Sequence, residues 1–377
     1  MSSIKEVKEN INKKIKSGRS SRSSSSRSSS SRSSSSKGSN SSKSKSVFVQ
    51  DFLEETDIKK IQKFLRSKLF IDKNTLDNRV KYLNYIQNKL KPIKENDCLE
   101  PGKLTDTFTV KNILHLEKLF SSKGTNSIIY KTSISKIFGT FPIATKVMKI
   151  TKDNMNEIKL MQMVRDEIII PKRSKHFPIM YKIIKCDQNI SENHKLLSIN
   201  ELANGDLSGL IPNILEDTEL FFNIFAQTFI AIGSFHILTN HLHKDVHGGN
   251  FLWHNNNEKG YYEYIYNGKS FYVKACNYNI MIYDYSYATE ITGEKEQISD
   301  YSEIIPTFLN ESFSNSNSVS PSKEIKDKLN DILNILMQKY KDKTDYDVFS
   351  YIIENILIPF NIVETRKPKK VIKTYRL

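Results

Sequence analysis

His243-Lys244-Asp245-Val246-His247-Gly248-Gly249-Asn250 follows directly on a long apolar stretch, ELFFNIFAQTFIAIGSFHILTNHL, that reads as a helix. Thirty-four residues beyond Asn250 comes Asp284, at the end of Ile280-Met281-Ile282-Tyr283-Asp284-Tyr285-Ser286, which reads as an apolar strand closed by an aspartate. The D-x-x-x-x-N spacing sets a carboxylate and a carboxamide on one short loop. Phosphoryl transfer from ATP asks a protein mainly for position and charge neutralisation. One carboxylate takes the proton of the acceptor hydroxyl; an amide oxygen and a second carboxylate hold the magnesium ions that bridge the phosphates. Asp245, Asn250 and Asp284 have the types and the order for these roles. A lone H-x-D is common and usually structural, whereas the whole ordered set is far rarer.

Working outward toward the N-terminus, the half that would hold ATP is present in eroded form. Ser122-Lys123-Gly124-Thr125-Asn126-Ser127-Ile128-Ile129-Tyr130 fits the loop pattern G-x-G-x-x-G-x-V with only its middle glycine kept. Ser122 and Ser127 stand where backbone must approach phosphate closely, which glycine permits more freely. Taken alone, this segment is a hairpin turn. Sixteen residues beyond Tyr130 lies Lys146, in Ile143-Ala144-Thr145-Lys146. In a strand Ala144 and Lys146 face one side, alanine leaving room for adenine and lysine reaching the phosphates. Lys149 is the rival. Glu157, eleven residues after Lys146, is placed to pair with that lysine from a helix, with Glu167 a weaker candidate and a surface glutamate the bland reading. Glu201-Leu202-Ala203 has the pattern of a connection whose backbone, at Glu201 and Ala203, would face adenine.

These pieces stand in protein-kinase order across about residues 116–290, so the chain resembles the eukaryotic-type protein kinase superfamily. Within it the likeness is to haspin-like kinases. HKDVHGGN is similar to haspin H-R-D-L-H-W-G-N, Asp284-Tyr285-Ser286 is similar to D-Y-T, and Tyr266-Asn267-Gly268-Lys269-Ser270 resembles a haspin insertion. His176-Phe177-Pro178-Ile179 resembles the kinase H-P-N-I stretch, and the Asn/Lys-rich, glycine-poor character is similar to kinases of giant DNA viruses. The resemblance implies an α+β, bilobal protein-kinase-like fold: a small β-rich lobe with one key helix and a larger, mainly helical lobe. It implies ATP and magnesium as cofactors and a protein serine or threonine as acceptor. It also puts His247 where kinases usually place a lysine that touches the γ-phosphate. Lys244 replaces the usual arginine of H-R-D, and no A-P-E motif follows Asp284. Two alternatives stay open. H-x-D-x-H-x-x-N is equally the pattern of kinases that phosphorylate small molecules, and the eroded glycine loop suits a catalytically weak, kinase-like binding module.

The rest of the chain sets boundaries. Residues 1–47 form an Arg/Ser-rich tail expected to be disordered, because nothing in it can be buried. Residues 1–46 hold twelve Lys/Arg and two Glu, so +10 of the net +15 sits there, and only this tail makes a case for contact with nucleic acid or an acidic partner. Residues 48–115 read as a helical N-terminal extension, with 93–115 a mixed connector. Residues 116–200 and 201–377 read as the two lobes, with a β insertion at about 255–279 and helices to the end. Cys98, Cys186 and Cys276 match neither a disulfide framework nor a zinc site, so a reducing interior is expected. Mean hydropathy is −0.48, and neither an apolar run of spanning length nor a signal sequence is apparent. The expectation is an intracellular protein, in host cytoplasm or nucleus if viral.

Overall fold

The structure, a computed structural model, describes residues 75–102, 107–118, 127–134, 143–186, 196–310, 320–341 and 347–377. The expected disordered tail lies outside these residues. Helix α1 (Leu76–Leu90) starts at Thr75, whose hydroxyl accepts from the Asn78 amide at 3.2 Å, a side-chain N-cap. Its buried stripe is Leu76, Arg79, Leu83, Ile86 and Leu90, the spacing of one helix face with an arginine inside it.

A seven-stranded sheet follows, in the order β1-β2-β3-β4-β5-β7-β6, with every neighbouring pair antiparallel. Its strands are β1 (Glu100–Pro101), β2 (Thr107–Val110), β3 (Leu114–Lys118), β4 (Ser127–Ile134), β5 (Ile143–Met148), β6 (Met180–Lys185) and β7 (Leu196–Glu201). Strand texture thus begins before residue 116, inside the segment read as helical extension and connector. Short four- and five-residue strands there give too few periods to stand out from a loop. Between β5 and β6, α2 (Lys152–Met163) is capped by Thr151 and runs on into a π-helical turn, Val164–Ile169. Ile158 packs with Met148 and Leu196, fixing α2 against the sheet.

Strand β6 is a sheet edge, and the segment after α1 covers it. The Lys185 amide donates to the Glu95 carbonyl, Lys182 Nζ reaches the Leu90 and Ile93 carbonyls, and a disulfide joins Cys98 to Cys186. That pairing corrects the expectation that the cysteines match no disulfide. Their 88-residue separation carries no local pattern, and only sheet formation brings the Cα atoms to 4.9 Å.

Beyond β8 (Gly205–Asp206), helix α3 (Thr218–Thr239) forms the axis of the C-terminal half. Asp217 caps it, and Asn240 ends it in the left-handed conformation. By length and composition α3 is apolar enough to cross a membrane, contrary to the sequence expectation, yet 83% of its most apolar window is buried inside the protein. Phe225 stacks on Phe229 and meets Phe308 edge-on, and Gly233 admits the Phe349 ring, which would lie 2.2 Å from any Cβ. The chain then supplies β9 (His241–Leu242), β10 (Phe251–Asn255), the hairpin β11 (Tyr261–Tyr266) and β12 (Lys269–Lys274), β13 (Tyr278–Ile282) and β14 (Thr289–Glu290). The hairpin turns at Asn267-Gly268, both at positive φ, the Asn-Gly chemistry of a tight hairpin. After α4 (Glu294–Glu303) and α5 (Lys323–Lys341), the last residues form β15 (Val371–Arg376), parallel to β11, where a helical ending was expected. Among the described residues the architecture is mixed α+β: one large antiparallel sheet, three small ones, and helices.

Candidate functional site

Strand alternation decides what Lys146 meets. Ala144 and Lys146 share one face of β5; Thr145 faces the other way, its hydroxyl accepting from Thr132 at 2.7 Å. Ile129 stands directly opposite Lys146 on β4, on the same face. Tyr130, opposite Thr145, is turned to the other side, edge-on to Phe108 with ring centroids 5.7 Å apart. Tyr130, part of the glycine-loop pattern in the sequence, thus stands on the face opposite Ala144, Lys146 and Ile129, because one step along a strand reverses the face. Ser127 opens β4 and is half-buried, while Ser122 and Gly124 lie outside the described residues.

Lys146 Nζ donates to Glu157 Oε1 at 2.8 Å, to Glu157 Oε2 at 3.0 Å and to Asp284 Oδ1 at 3.2 Å. Its three donors thus end on two carboxylates from sequence positions 11 and 138 residues away. Lys149 lies past the end of β5 and has no such pairing, and Glu167 is exposed in the π-helical turn. Burial acts to lower the Lys146 pKa, but Tyr283, Glu157 and Asp284 outweigh it and raise it above the ordinary lysine value. Complete burial pushes the Glu157 carboxyl up to about 7, against the pull of Lys146. Both values rise, which favours the charged form of Lys146 and the neutral form of Glu157, and the ammonium, with a carboxyl oxygen on each donor, is the charge the geometry secures. Asp284 is held below its ordinary range: burial would raise it, but Lys146 and the Ser286 hydroxyl, which donates at 2.8 Å, prevail.

The loop 243–250 is joined to this cluster through the backbone of Tyr283. Asn250 Nδ2 donates to the Asp245 carbonyl at 2.8 Å and to Asp245 Oδ2 at 2.9 Å, and the Asn250 carbonyl accepts from the Tyr283 amide at 2.8 Å. Asp245 and Asn250 are therefore tied by hydrogen bonds to Tyr283, the residue next to Asp284 in the chain. His247 Nδ1 accepts from the Gly249 amide at 3.1 Å, which leaves the ring proton on Nε2, 3.7 Å from Asp245 Oδ2. Gly248 is required, since a Cβ there would lie 2.4 Å from Ser208 Oγ and 2.5 Å from Thr307 Cγ2. Lys244 and Asp284 both adopt left-handed backbone, with φ of 61° and 63°. Such strained residues persist where surrounding contacts over-determine them.

Those contacts come largely from Asp300 on α4, absent from the sequence reading. Asp300 Oδ2 accepts from the His243 amide at 2.8 Å and from His236 Nε2 at 2.7 Å, and Oδ1 accepts from the Lys244 amide at 3.1 Å. Burial would raise its pKa; the bonds from His236 and the His243 amide hold it below the ordinary value. His243 Nε2 donates to the Tyr283 carbonyl at 2.8 Å, joining this support to the residues that lead from β13 into Asp284. A signal existed: Asp300 lies one helical turn before Ile304, on an apolar face.

Glu201 and Ala203 leave the end of β7 together, Ala203 half-buried in the bend toward β8. The Glu201 side chain, to which the sequence reading gave no role, forms a buried pair with Arg79. Arg79 Nε meets Oε1 at 2.8 Å and Nη2 meets Oε2 at 2.7 Å. Arginine within the apolar stripe of α1 was the available clue.

No cluster of three or more His, Cys, Asp or Glu suited to a metal occurs among the described residues. Magnesium in phosphate sites asks for less: one or two protein oxygens beside phosphate oxygens and water. Asn250 commits only its nitrogen to Asp245, and Asp284 commits Oδ1 to Lys146 and Ser286, so hard oxygen donors fit the ion. Compared with known protein families and with curated proteins, the chain finds no match in either.

Proposed function

We propose that this protein is an ATP-dependent serine/threonine protein kinase of haspin-like type, transferring the γ-phosphate of ATP to a protein hydroxyl. The observation that carries the reading is the convergence of Lys146, Glu157 and Asp284, with Asp245 and Asn250 hydrogen-bonded to each other and joined to that cluster through the Tyr283 amide. Unrelated structural roles would not need a lysine, three carboxylates and a carboxamide from four separate stretches of chain to meet.

On this reading the seven-stranded sheet with α2 is the small lobe of a protein-kinase-like fold, and the chain from α3 onward is the large one. Lys146, held by Glu157, binds the phosphates, while Ala144 and Ile129 line the adenine side and the Glu201–Ala203 backbone faces its edge. Asn250 and Asp284 would hold magnesium, which neutralises phosphate charge when bound. Asp245 accepts the proton of the acceptor hydroxyl as that oxygen bonds to phosphorus and ADP leaves. Asn250 orients it by donating to its Oδ2. His247, whose Nε2 lies 3.7 Å from the same carboxylate, would turn its proton to the transferred group once substrate is bound.

The test is transfer of label from γ-labelled ATP to generic protein acceptors. Asp245→Asn and Asp284→Asn should each lower kcat by roughly a hundredfold or more, the scale of a lost general base or charge clamp. Full activity in both variants would refute the roles. Label appearing on sugars or choline but not on proteins would establish small-molecule transfer instead, and nucleotide binding without turnover a binding module.

A further inference from the structure

We propose that Arg79 is a positioning residue for the nucleotide site, a role that rests on the kinase reading above. Its guanidinium is fully enclosed and reaches three separate parts of the site. Nε and Nη2 clamp both oxygens of Glu201, at the end of the strand whose continuation faces adenine. Nη1 donates to the Lys175 carbonyl at 3.0 Å and Nη2 to the Phe177 carbonyl at 2.5 Å, in the turn that follows the helix carrying Glu157. Nη2 also lies 3.3 Å from Met281 Sδ, three residues before Asp284.

The receiving side is built for this ion. Glu201 Oε2 also accepts from the Ile179 amide at 3.0 Å, and His254 Nε2 stands 3.3 Å from Oε1. Burial would raise the Glu201 pKa, but Arg79 and His254 overcome it and hold the carboxyl far below its ordinary value. The turn is knitted in turn to β13: the Ile282 amide donates to the His176 carbonyl at 3.0 Å, and His176 Nδ1 bonds the Ile280 carbonyl at 2.7 Å. One planar fork with fixed donors therefore sets the mutual position of the adenine edge, the helix of Glu157 and the strand of Asp284. The extension that delivers it is itself fastened along β6, so residues 75–98 are a working part of the site rather than an appendage.

The experiment compares wild type with Arg79→Met, Arg79→Lys and the double variant Arg79→Met/Glu201→Gln, the last leaving no unpaired buried charge should the single change prevent folding. In folded protein, Arg79→Met should raise KM for ATP about tenfold or more while kcat stays within about threefold, the pattern of lost ground-state positioning. Arg79→Lys should fail to restore KM, because an ammonium cannot span Glu201 and the two carbonyls. Amide exchange, measured without nucleotide, should quicken at residues 199–203 and 281–284 in the methionine variants. A lowered Tm with unchanged KM and unchanged exchange at those residues would show a merely structural arginine and overturn the proposal. Should wild type bind no ATP, the kinase reading fails by itself; the positioning claim is then decided by exchange, and unaltered exchange overturns it.

Discussion

Lys175 is enclosed with its ammonium nitrogen 3.3 Å from the centroid of the Tyr262 ring and no hydrogen-bond acceptor in reach. A ring face offsets part of the cost of burying that charge, not all of it. Burial accordingly lowers its pKa from 10.5 to about 7, with Cys276 and Glu258 opposing the shift and Arg79 adding to it. The sign of the consequence follows. Above pH 10.5 the amine is neutral both folded and unfolded, so nothing is lost. As pH falls toward 7 the unfolded chain takes a proton that the folded one refuses, and stability drops by up to about 1.4 kcal/mol per pH unit. Below 7 both forms are charged and the loss is constant. Lys175→Met fills the same space without the charge, so it should stabilise the protein most at pH 7 and below, the gain fading toward pH 10. Urea unfolding of both proteins across pH 6–10 measures that difference directly, and a gain independent of pH would exclude the buried ammonium as its cause.

At the scale of elements, the loop 243–250 is shaped less by its own sequence than by α4. Two of its amides and one histidine converge on Asp300, which is 1% exposed. Asp300→Asn keeps the volume but sets an NH2 group against an N–H donor, an exchange expected to cost about 2–4 kcal/mol. Because the folded pKa of Asp300 is depressed below 3.8, the wild-type advantage is full above that value and is lost as pH falls through the folded pKa. Acid titration of Tm should therefore start to bring the two proteins together below about pH 4 and complete the convergence only below the folded pKa, with activity of the variant reduced at pH 7 where the loop has lost its anchor. This division explains what could be read from the chain. The HKDVHGGN loop, the Asp284 strand and the Ala144–Lys146 pair are fixed by spacing within a few residues, so they were legible. The β insertion around Asn267-Gly268 was legible from its strand texture and the family resemblance, and its turn sits at positive φ. Asp300 and β15 act across 56 and 110 residues, at Lys244 and Tyr261, and no local pattern announces such partners.

For the molecule as a whole, the least legible contact is the covalent one. Cys98 and Cys186 bracket α2 and most of the large sheet, including Lys146 and Glu157, and only the assembled fold brings them together. The same tertiary logic governs Arg79 and Glu201, separated by 122 residues. Closing a loop of 88 residues removes entropy from the unfolded chain worth about 4–5 kcal/mol in the chain-entropy account, a large fraction of the net stability of any domain. Reduction should thus lower Tm by roughly 10 °C. The variant Cys98→Ser should show the same lowered Tm without reductant and no further response to it. Cys276 is the one free cysteine among the described residues, so Cys276→Ser should keep the full response. Thiol alkylation counted by mass spectrometry before and after reduction verifies the chemistry in each sample. If two thiols become reactive in wild type and Tm does not move, the cross-link contributes nothing to the fold. The extension is then held by the Arg79 pair with Glu201 on β7 and by the hydrogen bonds that join Gln87, Leu90, Ile93 and Glu95 to β6.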